Sequence, residues 1–289
     1  MKKLAFIPLI GLFLSCNLTD EATPVIEEST IEDTLIGTTP PNGTTNTSSD
    51  SATNTNPAGN ETWMIALFVE EGYDFSKNFQ EVRLQFKESG IIEASLGDQP
   101  VSGRWKIERD SPRDELYLDF PSGTLLDELD DDWYISSQTD TEIILEYRED
   151  GYESKLILVR ETHESTITPP FSLQKENSEL LFDEVFESSF EISSFWEENR
   201  NMTLAFDGGI LVFEAWGKVS LVKNGQQPIR GLWLVGFNDQ NVLLDLDFPS
   251  PGLGDYLDDD WALVSKEGGL IQFIELDDSD RDRLELVKI

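Results

Sequence analysis

The chain has 289 residues, of which 57 are Asp or Glu and 21 are Lys or Arg, for a formal net charge of −36 with one histidine and one cysteine. That balance excludes nucleic-acid binding, which needs clustered cations to displace counterions, and it disfavours anionic lipid surfaces; the charge itself reads as a solubilising surface. A single histidine, His163, leaves no Ser-His-Asp or Cys-His centre and no His-rich zinc site, and no GxGxxG, Walker-type or GxSxG motif occurs.

In chain order the first feature is an export signal. Lys2 and Lys3 precede an apolar run, Leu4 to Leu14, broken by Pro8 and Gly11 and too short to span a bilayer. Ser15 then stands directly before Cys16, the sole cysteine. This resembles the lipobox of bacterial lipoproteins, with Phe13 where Leu is commonest, and the resemblance implies that Cys16 is lipidated and becomes the new N-terminus. The other reading is an ordinary secretory signal with an incidental cysteine; a lone thiol at the cleavage site of an exported protein argues against it. Residues 17–60 are dominated by Asn, Thr, Ser, Pro and Gly, too polar to offset their ordering entropy, and read as a disordered tether with a reach of about 35–40 Å. Asp20 and Glu21 resemble the acidic residues that follow the lipidated cysteine in surface-exported lipoproteins of the Bacteroidetes.

The remainder says one thing twice. LDFPSGTLLDELDDDW at 118–133 returns as LDFPSPGLGDYLDDDW at 246–261, 128 positions later and identical at 12 of 16 places. At the same offset Gly103 and Trp105 fall on Gly231 and Trp233, and Leu156 and Leu158 on Leu284 and Leu286. A repeat of about a hundred residues is a domain duplication rather than a solenoid unit. Upstream, an offset of 120 pairs Leu84 and Phe86 with Leu204 and Phe206, which predicts about eight extra residues in the second copy between Phe206 and Pro228. The expected domains are 61–161 and 181–289, joined by a linker, 162–180, that carries His163 and Thr168-Pro169-Pro170 and points to two separately folded units.

Within the first copy, period-two alternation predicts half-buried antiparallel strands near 62–70, 81–88, 91–96, 102–109, 115–120, 133–138, 142–148 and 154–160. Ser89-Gly90, Asp110 to Pro112 and Asp150-Gly151 supply turns, and the one helical element expected is a turn at 124–131, with Leu125 and Leu129 on one face. Trp63, the strand holding Leu84 and Phe86, Gly103-x-Trp105, the LxLxF strand and the acidic turn ending in DDW together resemble the short lipocalin-like domains of Bacteroidetes lipoproteins. That resemblance implies an all-β chain of two tandem antiparallel β-barrels, each with one short helical turn. The second copy departs at its entrance, where Phe182, Val185 and Phe186 stand in place of Trp63. Large inward residues, Trp63, Phe68, Phe86, Trp105, Phe120 and Trp133, predict a filled core with at most a shallow pocket at one mouth.

Two groups of residues are candidate sites. Asp127, Asp130, Asp131 and Asp132, matched by Asp255, Asp258, Asp259 and Asp260, read as turn caps and solvated charges or as the ligands of a calcium ion, which favours gathered hard oxygens; a catalytic carboxylate pair, as in glycoside hydrolysis, is the remaining reading, and nothing else in the sequence marks a substrate cleft for it. Trp196 and Trp216 are either core residues or contacts for a sugar ring or protein partner. The resulting expectation is a non-enzymatic lipoprotein of the cell envelope, anchored in a membrane through Cys16 at the outer membrane or cell surface. It needs no cofactor and binds an extracellular glycan, small apolar molecule or envelope protein. A calcium-stabilised structural or adhesive protein is the alternative.

Overall fold

The computed structural model describes residues 57, 59, 61–110, 113–149, 152–276 and 282–289. The leader, Cys16 and all of the tether except residues 57 and 59 lie outside the described residues, as do Pro112 and the Asp150-Gly151 turn.

The first lobe is an antiparallel barrel. Its strands are β1 (Trp63–Glu70), the short β2 (Tyr73–Asp74), β3 (Val82–Phe86), β4 (Ile91–Leu96), β5 (Gln99–Asp110), β6 (Arg113–Asp119), β7 (Asp132–Gln138), β8 (Glu142–Glu149) and β9 (Tyr152–Arg160). Neighbours in sequence pair from β3 to β9, and β1 closes the ring by pairing with β9 on one side and β3 on the other, giving eight main strands. The alternation read from the sequence is the inward period: Val82, Leu84 and Phe86 are fully buried, as are Leu156 and Leu158. A 3-10 turn at Leu125–Leu129 buries Leu125, Leu126 and Leu129, and a second at Ser76–Phe79 buries Phe79.

The second half begins with a helix, α1 (Lys175–Val185), followed by β10 (Ser189–Glu197), β11 (Arg200–Asn201), β12 (Gly209–Phe213), β13 (Lys218–Lys223), β14 (Ile229–Phe237), β15 (Val242–Asp247), β16 (Asp259–Glu267), β17 (Leu270–Glu275) and β18 (Arg283–Lys288). Strands β12 to β18 pair in succession, and β10 pairs with both β12 and β18. The ring contacts also repeat. Phe68 meets Phe79 at 5.1 Å and Trp133 at 6.4 Å between centroids; Phe195 meets Phe206 at 4.8 Å and Trp261 at 6.0 Å. Phe86 stands edge-on to Trp105, and Phe213 to Trp233.

These registers correct two expectations about the second copy. Trp63 lies opposite Leu84 and Arg160, while Phe190 lies opposite Leu211 and Lys288. Phe190 therefore takes the place of Trp63, and Leu211 and Phe213 take those of Leu84 and Phe86. Leu204, 87 % exposed, and Phe206 belong instead to a 3-10 turn, Thr203–Phe206, that corresponds to Ser76–Phe79. The eight-residue insertion vanishes. Ile92 pairs with Gly103 and Val219 with Gly231, eleven and twelve residues apart, so one extra residue sits in the β13–β14 turn.

Phe182 and Val185 lie in α1, with Phe186 as its C-cap, and not in a first strand. The helix starts inside the span expected as linker. Its buried stripe, Ser178, Leu181 and Val185, has the three-and-four spacing of one helical face, and it packs on β14 and β15. Two lysines hold its second half: Lys266 donates to the carbonyl of Leu180 and pairs with the Glu184 carboxylate, and Lys288 donates to the carbonyl and carboxylate of Glu184 in the last turn.

The described residues fall within one compact unit. β2 pairs with β14 through Asp74 and Phe237. The segment between the lobes is pinned at both ends, because Glu142 accepts hydrogen bonds from Ser165 and Thr166, and Asp239 accepts them from the backbone of Ser172 and Leu173. His163 is exposed and hydrogen-bonds its neighbour Thr162.

Candidate functional site: a groove built twice

The repeated Gly-x-Trp and Leu-Asp-Phe-Pro motifs meet on adjacent strands. An added Cβ at Gly103 would lie 2.5 Å from the carbonyl oxygen of Asp119, and one at Gly231 would lie 2.3 Å from that of Asp247; the rings of Phe120 and Phe248 come within 2.7 Å of the same points. Only glycine fits there. The indole two residues on is fixed in the same way in each copy: Trp105 donates its ring N–H to the carbonyl of Lys87 at 3.0 Å, and Trp233 to that of Glu214 at 3.1 Å. Their backbone amides donate to Gly90 and Gly217, hairpin glycines at positive φ.

This construction leaves an outer groove at the corner. In the first lobe it has a volume of about 460 Å3 and is lined by Ile91, Ser102, Gly103, Arg104, Asp119, Phe120 and Pro121. The equivalent groove of the second lobe, about 580 Å3, is lined by Lys218, Arg230, Gly231, Leu232, Asp247 and Pro249, with Glu214, Val219 and Ser220 beside them. Gly123, from the acidic turn of the first lobe, forms part of its wall. Both grooves are shallow, open to solvent and lined by polar and apolar groups alike. Across Arg104 and Asp119 the first groove adjoins a cleft of about 530 Å3 that reaches Lys106, Tyr117 and Asp130.

The aspartate runs act mainly on backbone. Asp127 accepts the amide of Gly123 at 3.0 Å and so holds the wall of the second groove; Asp258 accepts the amide of Phe248 at 2.9 Å. Asp131 and Asp259 accept the amides of Asp132 and Asp260. Asp132 lies across the ladder from Tyr117, whose phenol it holds by a hydrogen bond; that bond and the carboxylate charge push the phenol up to about 12. Desolvation, then the fields of Asp119, Asp127, Asp131 and Asp132, push the Asp130 carboxyl up to about 6. Asp255 sits in the first turn of the 3-10 segment Gly254–Tyr256, where an acidic side chain faces unsatisfied amides. Among the described residues no group of three or more His, Cys, Asp or Glu is disposed to hold a metal ion.

The tryptophans are placed as follows. Trp133 and Trp261 are buried and donate to the carbonyls of Leu129 and Leu257, clamping the turn that precedes them. Trp216, in the β12–β13 hairpin and not in an insertion, packs on the first-lobe core, its indole so close to Gly97 that a Cβ there would be 2.4 Å away. It is a contact between lobes. Trp196 lies on β10 opposite Asn201 and Arg283, and neither tryptophan lines a groove. The groove residues Asp119, Asp247, Lys218 and Arg230 were not picked out from sequence; the repeated LDFP was the available signal for the two aspartates. Comparison with family models, with curated proteins and with solved structures returns no match.

Proposed function

We propose that this chain is a non-enzymatic, lipid-anchored envelope protein made of two tandem lipocalin-like barrels, and that it binds an extracellular ligand in the paired corner grooves. The observation that carries this reading is the duplication of the groove itself. Gly103 with Gly231, Asp119 with Asp247, and Pro121 with Pro249 frame the same cleft in both lobes. The lipid anchor is assigned to Cys16 on the sequence alone, and the display site to the outer membrane or cell surface. Among the described residues no helix is long and apolar enough to cross a membrane.

The test is saturation-transfer NMR of the full-length chain in detergent against a panel of neutral and acidic saccharides, with Ser102→Trp and Ser220→Trp to obstruct the first and second grooves. Saturation should fall in each variant. Binding that survives both obstructions would place the ligand elsewhere. Incorporation of a labelled fatty acid, lost in Cys16→Ala, tests the anchor.

A further inference from the structure

The two grooves differ in one respect that bears on their ligand. At the positions of Ile91 and Ser102 in the first lobe, the second carries Lys218 and Arg230. These lie on adjacent strands, with Lys218 opposite Leu232 and Arg230 opposite Ser220, so the two cations are diagonal neighbours over one side of the β13–β14 ladder. Acidic residues outnumber basic ones 57 to 21, and the described cations divide into those that hold a carboxylate and those that do not. Arg83, Lys87, Lys106, Lys155, Arg160, Arg200, Lys266 and Lys288 all hold carboxylates. Among the described residues the side chains of Lys218 and Arg230 hold no ion pair or hydrogen bond, as is also true of Arg104, Arg109 and Arg283, and of these five only Lys218 and Arg230 line one groove together.

The same groove presents the carboxylates of Glu214 and Asp247 and the hydroxyl of Ser220. A bare inorganic anion would meet the cations and be repelled by these carboxylates. A ligand carrying one negative group and several hydroxyls satisfies both, because its anion takes the Lys and Arg donors while its hydroxyls donate to the carboxylates. Gly123 puts backbone, not a side chain, against it, with nothing within 4 Å of where a Cβ would stand, so a ring can approach closely. Resting on the groove reading above, we infer that the second-lobe groove binds an acidic sugar of the uronic-acid type, its carboxylate on Lys218 and Arg230 and its hydroxyls on Asp247 and Glu214.

The experiment titrates the full-length chain in detergent with D-glucuronate, D-glucose and sulfate, following backbone amide shifts, in the wild type, in Lys218→Met/Arg230→Met and in Arg283→Met, an exposed arginine that lines neither groove. The expected result is glucuronate binding that weakens about tenfold or more in the double variant, persists in Arg283→Met and falls as salt is raised. Sulfate binding as tightly as glucuronate would overturn the sugar assignment in favour of a plain anion site. Glucose matching glucuronate, with no loss in the double variant but loss in Ser220→Trp, would overturn the acidic class and leave the groove as a neutral-sugar site. Failure of both sugars, together with failure of the saccharide panel, would overturn this inference and the groove reading together.

Discussion

The side-chain amide of Asn78 pairs with the backbone of Val235 as a neighbouring strand would: it donates to the Val235 carbonyl at 2.8 Å and accepts the Val235 amide at 2.9 Å. A third bond, 2.8 Å to the carbonyl of Phe75, fixes its rotamer. β13 pairs with β14 only as far as Leu232, so the outer edge of β14 beyond that point is covered by the Gly217 turn, then Asn78, then Asp74. The first lobe thus protects an edge of the second that would otherwise be open to another chain. Phe75 lies over Gly236, where a Cβ would come within 2.5 Å of the ring.

Replacing Asn78 by Ala should leave the amide and carbonyl of buried Val235 without partners and cost about 2–3 kcal/mol. Urea denaturation with intrinsic tryptophan fluorescence would measure it. The second lobe carries Ala at the equivalent position, Ala205, so Ala205→Asn should change stability by much less. Equal effects would mean that the contact between lobes contributes nothing.

The corner glycines give a second prediction. With a carbonyl oxygen at 2.5 Å or closer to the added Cβ, Gly103→Ala and Gly231→Ala should each destabilise by about 1–3 kcal/mol, by forcing β5 from β6 or β14 from β15. Gly123→Ala has nothing within 4 Å of the new Cβ, but its positive φ favours glycine, so a smaller loss is expected. A thermal melt of the three variants ranks them.

What could be read from sequence, and what could not, follows from the range of each interaction. The strands of the first lobe were legible because one face is buried and the other wet, as at Val82, Leu84 and Phe86. The helix α1 was missed because Leu180 and Phe186, 50 % and 39 % exposed, blur a stripe whose third member is a serine. The false offset arose because Leu204 and Phe206 repeat the Leu-x-Phe spacing of Leu84 and Phe86 while lying in a turn. Gly217, closing its hairpin as Gly90 does, was the signal that would have corrected it. Lys218 and Arg230 escaped for a different reason: a search for repeated identities passes over positions where the copies diverge.

Asp130 predicts an inverted pH dependence. Its carboxyl is raised from the ordinary 3.8 to about 6, so between those values the folded chain binds more proton than the unfolded one, and acidification through this window stabilises. Asp130→Asn should therefore melt higher than the wild type at pH 7.5, with the difference closing by pH 4. Glu142 and Asp239 behave oppositely. Desolvation at Glu142 is outweighed by hydrogen bonds from Ser165 and Thr166, and two backbone amides hold Asp239; both carboxyls lie below their usual range. Their contribution is present at neutral pH and lost as pH falls through the lowered values, so hydrogen exchange at Thr166, Ser172 and Leu173, corrected for intrinsic rates, should lose protection in acid.

The last prediction concerns calcium. A folded-state ligand raises the melting temperature by mass action, so an ion held by the DDD turns would separate melts taken in millimolar calcium from melts taken in EDTA. The carboxylates that would have to converge are occupied one at a time by backbone: Asp127 by Gly123, Asp131 by Asp132, Asp258 by Phe248 and Asp259 by Asp260. Each keeps a second oxygen, but among the described residues no three of these carboxylates are disposed to hold one ion. The melts should therefore superimpose. Asp127→Ala should lower the transition equally in both buffers, by about 1 kcal/mol for the lost cap, and loosen the Gly123 wall of the second groove. A calcium-dependent shift that disappears in Asp127→Ala would instead make the first acidic turn a metal site.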